Sequence, residues 1–203
     1  MHDVAIIDYN MGNLFSIDCA LKFTGLNSII TNNLDEIENS KCIILPGVGA
    51  FPEAMKRLKE KKLDKAIYNF NLKKKPIVGI CLGMQLLFTS SYENTATKGL
   101  GILEGEVKKF TTNTKNKNHF FNVGWRKISL SKKKDEESLL KNLGEEKMYF
   151  IHSYRVENFN QTDEISYTEY YGNKILAIIG NKNIVGCQFH PEKSGEKGLK
   201  ILK

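Results

Sequence analysis

The stretch Ile77-Val78-Gly79-Ile80-Cys81-Leu82-Gly83-Met84-Gln85 decides how this chain folds. The short apolar run after Pro76 predicts a buried strand, and residues 84–88 favour a helix. A strand, a sharp turn with a nucleophile at its tip and a following helix make up a nucleophile elbow. Small residues two before and two after the tip allow the strand and the helix to pack closely. The stretch therefore predicts Cys81 as a nucleophile.

Two interpretations of Cys81 are open at this point. Free cysteines are most often buried core residues, which is the simpler interpretation. The flanking glycines and the helix behind them favour the nucleophile, because a helix N-terminus under the sulfur favours a thiolate. In that role, the backbone N–H of Leu82 would point at a developing oxyanion.

The composition limits the classes of function. The 203 residues, 41% of them hydrophobic, suit one α/β domain, which we expect to span residues 1–203. No apolar run reaches the roughly 18 residues of a membrane span. The segment Met1-His2-Asp3 leads directly into a strand-like run, so we expect no signal peptide. The net charge of +7 comes without aromatic residues interleaved among the lysines, so it favours a solvated surface over a nucleic-acid site.

The cysteines indicate a reducing, cytoplasmic setting. The four of them are far apart and form no C-x-x-C pair, which argues against both a zinc site and a disulfide framework. They are Cys19, Cys42, Cys81 and Cys187. We therefore expect no metal.

The first hundred residues alternate predicted strands and helices. Gly25 is placed to end the first helix, and Asn33 precedes a short turn or helix. Alternation of this kind implies a parallel sheet, in which ligands bind at the carboxyl ends of the strands. Asp8, residues 47–49 and Cys81 follow such strands, so we expect them to converge at one edge. The predicted strands are 4–8, 27–31, 42–45 and 77–80, and the main helices are 14–23 and 53–70.

The second half of the chain is predicted to be mostly antiparallel and to continue the same sheet. Residues 111–118 are polar and predict a loop. The segments that predict strands are 101–110, 120–128, 148–156, 164–171 and 175–179.

The stretch Val185-Gly186-Cys187-Gln188-Phe189-His190-Pro191-Glu192-Lys193-Ser194 places a histidine just past a strand. A catalytic cysteine needs a base, and the base needs a partner that orients its other nitrogen. His190 and Glu192 have the side-chain chemistry for these two roles. A lone histidine is more often a surface residue, but the elbow cysteine in the same chain favours the catalytic interpretation.

These motifs resemble those of the class I (triad) glutamine amidotransferases, and most closely those of the glutaminase subunits of imidazole glycerol phosphate synthase. The resemblance covers nearly the whole chain and implies a flavodoxin-like α/β fold with a mostly parallel central sheet and an added antiparallel portion. It implies no cofactor. It rests on Gly79-Ile80-Cys81-Leu82-Gly83-Met84-Gln85, Asp8-Tyr9-Asn10-Met11-Gly12-Asn13-Leu14, Leu45-Pro46-Gly47-Val48-Gly49-Ala50-Phe51, Phe150-Ile151-His152-Ser153-Tyr154 and Gln188-Phe189-His190-Pro191-Glu192-Lys193-Ser194.

The resemblance implies a role for each matched residue. Cys81 would attack the side-chain amide of L-glutamine, His190 would act as base and then as acid, and Glu192 would orient His190. Val48 and Leu82 would supply the oxyanion N–H groups. The implied substrate-binding residues are Gly47, Gly49, Gln85, Glu93, His152, Ser153 and Tyr154, with the two glycines allowing residues 46–49 to change conformation.

The resemblance also implies a partner. In the family, ammonia passes through a (β/α)₈-barrel cyclase subunit to a nucleotide intermediate, and the two subunits form a heterodimer. No nucleic acid and no membrane are involved. The partner-facing positions would be Asn13, Trp125, Tyr149 and Lys193.

One stretch departs from the family pattern. The family usually has Pro-His-Met-Gly-Trp-Asn or similar around Trp125, where this chain has Phe120-Phe121-Asn122-Val123-Gly124-Trp125-Arg126. The Pro-His pair is missing, and an arginine follows the tryptophan. The ammonia acceptor therefore stays open between the histidine pathway and a sugar amidated in surface-glycan synthesis. An idle regulatory subunit and a solitary thiol hydrolase are further alternatives. The intact Cys81, His190 and Glu192 set argues against the idle subunit.

Overall fold

The computed structural model describes residues 2–110, 121–130, 146–160 and 164–203. The predicted loop 111–118, the lysines 132–134 and the first residue of the predicted strand 120–128 lie outside the described residues.

The central feature is an eight-stranded sheet in the order β2-β1-β3-β4-β14-β13-β12-β9. Its first five strands are parallel, and the last three are antiparallel additions. The strands are β1 (Val4–Ile7), β2 (Ser28–Thr31), β3 (Cys42–Leu45), β4 (Ile77–Ile80), β9 (Ser129–Leu130), β12 (Glu164–Tyr170), β13 (Asn173–Asn181) and β14 (Ile184–Cys187). The mostly parallel sheet with an antiparallel portion is thus confirmed.

Helices cover both faces of the sheet. One face packs against α2, α3, α4 and α5 through a large apolar cluster, and the other packs against α1 and α6. The Asn33 side chain accepts the N–H groups of Asp35 and Glu36 and so starts α2. The helices are α1 (Leu14–Phe23), α2 (Leu34–Asn39), α3 (Phe51–Glu60), α4 (Leu63–Leu72), α5 (Leu82–Leu86) and α6 (Gly195–Leu202). None of the described helices is long and apolar enough to cross a membrane.

The prediction of one helix over 53–70 is wrong, because two helices occupy this region. Lys62 has φ +59° and ψ +18°, a left-handed conformation that breaks the helical path between α3 and α4. The preceding Lys61 reaches across to the carbonyl of Asp8 and the side chain of Asn10. The amphipathic rhythm is continuous across the break, so the sequence pattern alone did not reveal it.

The prediction of one strand over 148–156 is also wrong. β10 (Lys147–His152) pairs with β8 (Asn122–Lys127), whereas β11 (Tyr154–Glu157) joins a separate four-stranded sheet. The chain changes sheets at Ser153, whose carbonyl accepts the N–H of Phe110. The second half therefore does not simply continue the main sheet. The other strands of the four-stranded sheet are β5 (Phe88–Ser91), β6 (Thr97–Lys98) and β7 (Leu103–Lys109).

The helix predicted over 84–88 is displaced. It starts at Leu82 and ends at Leu86, and Phe88 already belongs to β5. The carbonyls of Leu86 and Leu87 accept N–H groups from residues 100–103. These distant hydrogen bonds end the helix, and local propensity does not predict them.

Candidate active site

Cys81 lies at the tip of a tight turn between β4 and α5. It has φ +54° and ψ −109°, a conformation that costs energy for a residue with a Cβ atom. A Cβ atom on Gly83 would lie 1.8 Å from the carbonyl oxygen of Leu45, and one on Gly79 would lie 2.7 Å from Cα of Met84. Glycine at both positions therefore allows α5 to pack directly on β3 and β4. The elbow predicted from the sequence is present.

His190 lies just after β14 and immediately before the 3₁₀ turn Pro191–Lys193, and Glu192 lies within this turn. Nδ1 of His190 donates to Oε1 of Glu192 at 2.8 Å, and both side chains are buried. Pro191 between them holds the turn in which residues two apart face each other. The imidazole of His190 is thus hydrogen-bonded to the carboxyl group that the sequence suggested as its partner.

Nε2 of His190 is buried and has no hydrogen-bond partner among the described residues. Burial by itself lowers the pKa of His190. The Cys81 thiol and the Glu192 carboxylate outweigh burial and raise this pKa well above its usual range. The sulfur of Cys81 lies 3.8 Å from the carbonyl oxygen of Ile151 and 3.8 Å from Nε2 of Gln188. A proton from the Cys81 thiol would be held at this nitrogen, because the raised pKa of His190 favours the protonated ring.

A cavity of about 400 Å³ opens over Cys81. Most of the residues predicted from the resemblance line it, together with the apolar side chains of Phe121, Val123 and Ile151, to which no role was assigned. The predicted residues in its lining are Val48, Gly49, Cys81, Leu82, Gln85, Glu93, His152, Ser153, Tyr154 and His190.

Gly47 does not line the cavity but lies buried beneath it. A Cβ atom there would lie 2.7 Å from the backbone nitrogen of Gly83. The residue before it, Pro46, accepts a hydrogen bond of 2.6 Å from the hydroxyl of the buried Tyr9. The segment that carries Val48 is therefore anchored at its start, whereas Val48 itself is exposed.

Glu93 and His152 are both engaged with the protein. Oε2 of Glu93 accepts the backbone N–H of Phe51, the first residue of α3, and burial raises the pKa of Glu93. Burial lowers the pKa of His152 to about 4, so its ring is neutral at pH 7. Nδ1 of His152 donates to the carbonyl of Tyr154 at 2.8 Å.

Asn122 completes the surroundings of His152 and received no role from the sequence. Its Nδ2 lies 2.9 Å from Nε2 of His152, and its Oδ1 accepts from Nε of Arg126 at 3.3 Å. Arginine can only donate, so the amide nitrogen of Asn122 must face the histidine ring. Asn122 lies in the stretch that departs from the family pattern. This departure could have indicated from sequence that Asn122 has a specific role.

Asn13 was predicted only as a partner-facing residue, and the structure gives it a second contact. Its Nδ2 lies 3.3 Å from Oε1 of Glu192, and its Oδ1 accepts from the hydroxyl of Ser16 at 2.9 Å. Asn13 is the N-cap of α1, but its side chain does not cap the helix. Its amide is instead directed at the carboxylate that holds His190.

Trp125 and Tyr149 face each other across the β8–β10 pair, with ring centroids 6.0 Å apart. The neighbouring pair on the same face is Val123 and Ile151. Side chains on the opposite face, such as Phe150, are buried. We call Val123, Trp125, Tyr149 and Ile151 the apolar ribbon. Lys193, on the 3₁₀ turn after His190, is exposed.

Several solved structures have a similar fold. One, described as a glutamine amidotransferase, has a TM-score of 0.75 at 16% identity and covers 98% of this chain and 95% of its own. PurLQS from Thermotoga maritima has a TM-score of 0.74 at 20% identity and covers 100% and 96%. At these identities the likeness concerns the fold alone.

Other known proteins are more similar to this chain in sequence than these structures are. The family model "Glutamine amidotransferase class-I" matches residues 5–203. The imidazole glycerol phosphate synthase subunit HisH of Lactococcus lactis subsp. lactis is 44% identical over 203 residues, which are 100% of this chain and 97% of that protein. The HisH subunit of Caldanaerobacter subterraneus subsp. tengcongensis is 46% identical over 98% of this chain and 95% of its own length. The chain therefore belongs to the class-I glutamine amidotransferase family and, within it, to the HisH subunits of imidazole glycerol phosphate synthase.

Proposed function

We propose that this chain hydrolyses L-glutamine to glutamate and ammonia as the glutaminase subunit of an imidazole glycerol phosphate synthase. The ammonia passes to a (β/α)₈-barrel cyclase subunit, which makes imidazole glycerol phosphate and AICAR in histidine biosynthesis. We propose that residues 1–203 act as one glutamine amidotransferase domain, in the cytoplasm. One observation carries the proposal: a cysteine on a strained turn shares a cavity with a histidine that is already oriented by a carboxylate.

The proposed reaction begins at sulfur. The thiol proton of Cys81 passes to Nε2 of His190, and the thiolate attacks Cδ of the glutamine side chain. His190 then returns the proton to the amide nitrogen, the C–N bond breaks, and ammonia leaves a γ-glutamyl thioester. Water attacks this thioester as His190 removes its proton, glutamate leaves, and the proton returns to sulfur.

The other predicted residues serve binding and charge stabilisation in this proposal. The backbone N–H groups of Val48 and Leu82 receive the oxyanion. Glutamine fills the cavity between Gln85, Glu93 and residues 152–154. The neutral state of His152, with both ring nitrogens already hydrogen-bonded, suits a residue that shapes the cavity and does not transfer protons.

We propose that the apolar ribbon binds the cyclase subunit. Exposed apolar side chains that form a continuous patch beside a catalytic cavity mark protein interaction sites. Trp125 and Ile151 are 51% and 45% exposed, and Ile151 also lines the cavity. Lys193 lies on the 3₁₀ turn after His190, and Asn13 contacts Glu192 on the same turn. The proposed partner would therefore close the cavity over Cys81.

Histidine biosynthesis is favoured over sugar amidation as the destination of the ammonia. Relatives that are 39–46% identical over nearly the whole chain carry the HisH name. The departure around Asn122 and Arg126 is explained by side chains that bond to one another within this chain. It does not require another acceptor. Growth of a histidine auxotroph that lacks this subunit, supplied with this gene and its native cyclase, tests the acceptor.

The central test is Cys81→Ala in the complex with the cyclase. We expect glutamine-dependent turnover to fall by several orders of magnitude, because the covalent nucleophile is lost. Turnover supplied with free ammonia should persist, because the cyclase is intact. Cys19→Ala, at an exposed cysteine outside the cavity, is the matched control and should keep both activities. Substantial glutaminase activity in Cys81→Ala would contradict the proposal.

A further inference from the structure

Gln188 is the fully buried residue that follows β14, two positions before His190. Its backbone N–H donates to the carbonyl of Ala177 at 2.9 Å, which holds the residue in line with the sheet. Its side-chain Nε2 lies 3.8 Å from the sulfur of Cys81, within the distance of a hydrogen bond to sulfur. The mechanism given above does not use this contact.

The orientation of the Gln188 amide follows from its neighbour Gln85. The side-chain nitrogen of Gln85 lies 3.1 Å from the carbonyl oxygen of Tyr154. A carbonyl can only accept, so this end of the Gln85 amide must be the nitrogen. The same nitrogen lies 2.9 Å from the Gln188 amide and donates to its oxygen. The nitrogen of Gln188 is therefore the end that faces sulfur.

We propose that Gln188 is a further catalytic residue that donates a hydrogen bond to the Cys81 thiolate. This inference rests on the proposed glutaminase function. In the thiol state, the S–H group can donate to the carbonyl of Ile151. When the proton moves to Nε2 of His190, that carbonyl can no longer be bonded by sulfur. The N–H of Gln188 then stabilises the new negative charge.

The hydrogen bond is pre-arranged, which is why it can favour ionisation. The Gln188 side chain is buried, and its oxygen is already bonded to Gln85. Little side-chain or solvent rearrangement is therefore needed when the charge forms. A donor aimed in advance at a developing charge stabilises it without a cost of reorganisation at the moment of reaction.

The test measures thiolate reactivity directly. The isolated chain is treated with iodoacetamide, and alkylation of the peptide that contains Cys81 is followed by mass spectrometry at pH 7 and pH 10. For Gln188→Leu we expect alkylation at pH 7 to be about three- to tenfold slower than in the unmodified chain. Raising the pH from 7 to 10 should bring the two rates together, because it favours the thiolate in both proteins.

Two further variants make the result decisive. Gln188→Glu keeps the shape and the oxygen that accepts from Gln85, but it presents a second oxygen to sulfur. It should be alkylated at pH 7 at least as slowly as Gln188→Leu. Thr168→Val removes a buried hydroxyl from β12 and should be alkylated at the normal rate. Circular dichroism shows whether each variant is folded. If Gln188→Leu does not fold, the alkylation rate of Gln188→Glu tests whether Gln188 stabilises the thiolate.

Equal alkylation rates at pH 7 in the unmodified chain and a folded Gln188 variant would overturn the inference. Slower alkylation that does not recover at pH 10 would also overturn it, because it would indicate restricted access and not weaker ionisation. Alkylation requires no glutamine, so this outcome is independent of the proposed function. Absence of glutamine hydrolysis by the unmodified complex would reject the proposed function instead. In the complex, kcat of Gln188→Leu should fall by a similar factor with little change in KM.

Discussion

At the scale of single residues, the polar groups around Cys81 form a connected set with determined directions. Arg126 can only donate and the Tyr154 carbonyl can only accept. These two ends set the orientation of the Asn122 amide and the proton position on His152 between them. A neutral histidine with a single tautomer results. The Tyr154 carbonyl also accepts a hydrogen bond from Nε2 of Gln85. It is therefore an acceptor shared by His152, which lines the cavity, and Gln85, which contacts Gln188 beside the sulfur.

Asn13 gives a prediction at this scale. We expect Asn13→Ala to lower kcat for glutamine hydrolysis in the complex by about tenfold with little change in KM, because a hydrogen bond to the side chain of Glu192 is lost. The stability of helix α1 should be unchanged, since the Asn13 side chain does not cap it. Steady-state kinetics at saturating cyclase measure the effect.

Ser16→Ala is the matched control for Asn13. It removes the hydroxyl that holds the Asn13 amide but leaves the contact with Glu192, so kcat should fall by no more than about twofold. An unchanged kcat in Asn13→Ala would show that the 3₁₀ turn alone holds Glu192 in place.

At the scale of elements, breaks in the regular structure position the site. The left-handed Lys62 separates α3 from α4. The change of sheet at Ser153 places His152 and Tyr154 in different sheets. The elbow at Cys81 is a third break. The breaks at Cys81 and Ser153 lie in the lining of the cavity, whereas Lys62 does not line it.

Lys62 gives a prediction about stability. Lys62→Gly should raise the free energy of unfolding by about 0.5–1 kcal/mol, because glycine adopts positive φ without the steric cost that a Cβ atom brings. Urea unfolding of the two proteins measures this difference. Lys61→Gly should have the opposite sign, since Lys61 has φ −90° and its amine contacts Asp8 and Asn10. A lower unfolding midpoint for Lys62→Gly would contradict the argument.

At the scale of the whole molecule, β10 links the apolar ribbon to His190. The carbonyl of Tyr149 accepts the N–H of His190 at 2.9 Å, and the N–H of Tyr149 donates to the hydroxyl of Ser194 at 3.0 Å. Trp125 packs on the Tyr149 ring. A partner that binds the apolar ribbon would therefore contact β10, the strand that is hydrogen-bonded to the backbone of His190. The exposed Val48 lies at the same cavity, on a segment whose first residue, Pro46, is hydrogen-bonded to Tyr9.

Coupling between the partner and the site is the prediction at this scale. We expect the isolated chain to hydrolyse glutamine slowly and the complex with a nucleotide-loaded cyclase to be faster by on the order of 10²–10³, the worth of one oxyanion donor. The physical reason is that docking would bias the segment 46–49 toward presenting the Val48 N–H to the oxyanion.

Glutaminase turnover of the isolated chain and of the complex is compared under the same conditions. Trp125→Ala should weaken cyclase binding and reduce the stimulation. Phe23→Ala, at an even more exposed aromatic residue outside the ribbon, should do neither. Equal turnover by the isolated chain and the complex would show that the segment 46–49 is a static turn.

The sequence by itself determined the parts of the site that depend on neighbours along the chain. Gly79 and Gly83 flank Cys81 within one turn, and His190 and Glu192 are two residues apart, so their chemistry and geometry are local. The first helix and the parallel strands also followed from local periodicity. The resemblance to a known family then supplied the cavity residues, because their motifs are contiguous.

Only the tertiary structure decided which distant polar groups meet. Asn13 and Glu192 are 179 residues apart, and Gln85 and Gln188 are 103 apart. Their contacts depend on the strand order β1-β3-β4-β14. That order brings the loops after β1, β3, β4 and β14 to one edge of the sheet. Local propensity carries no information about such an order, since each strand alone has the same apolar pattern. For the same reason, it missed the break at Lys62 and the change of sheet at Ser153, which are held by hydrogen bonds and packing to remote segments.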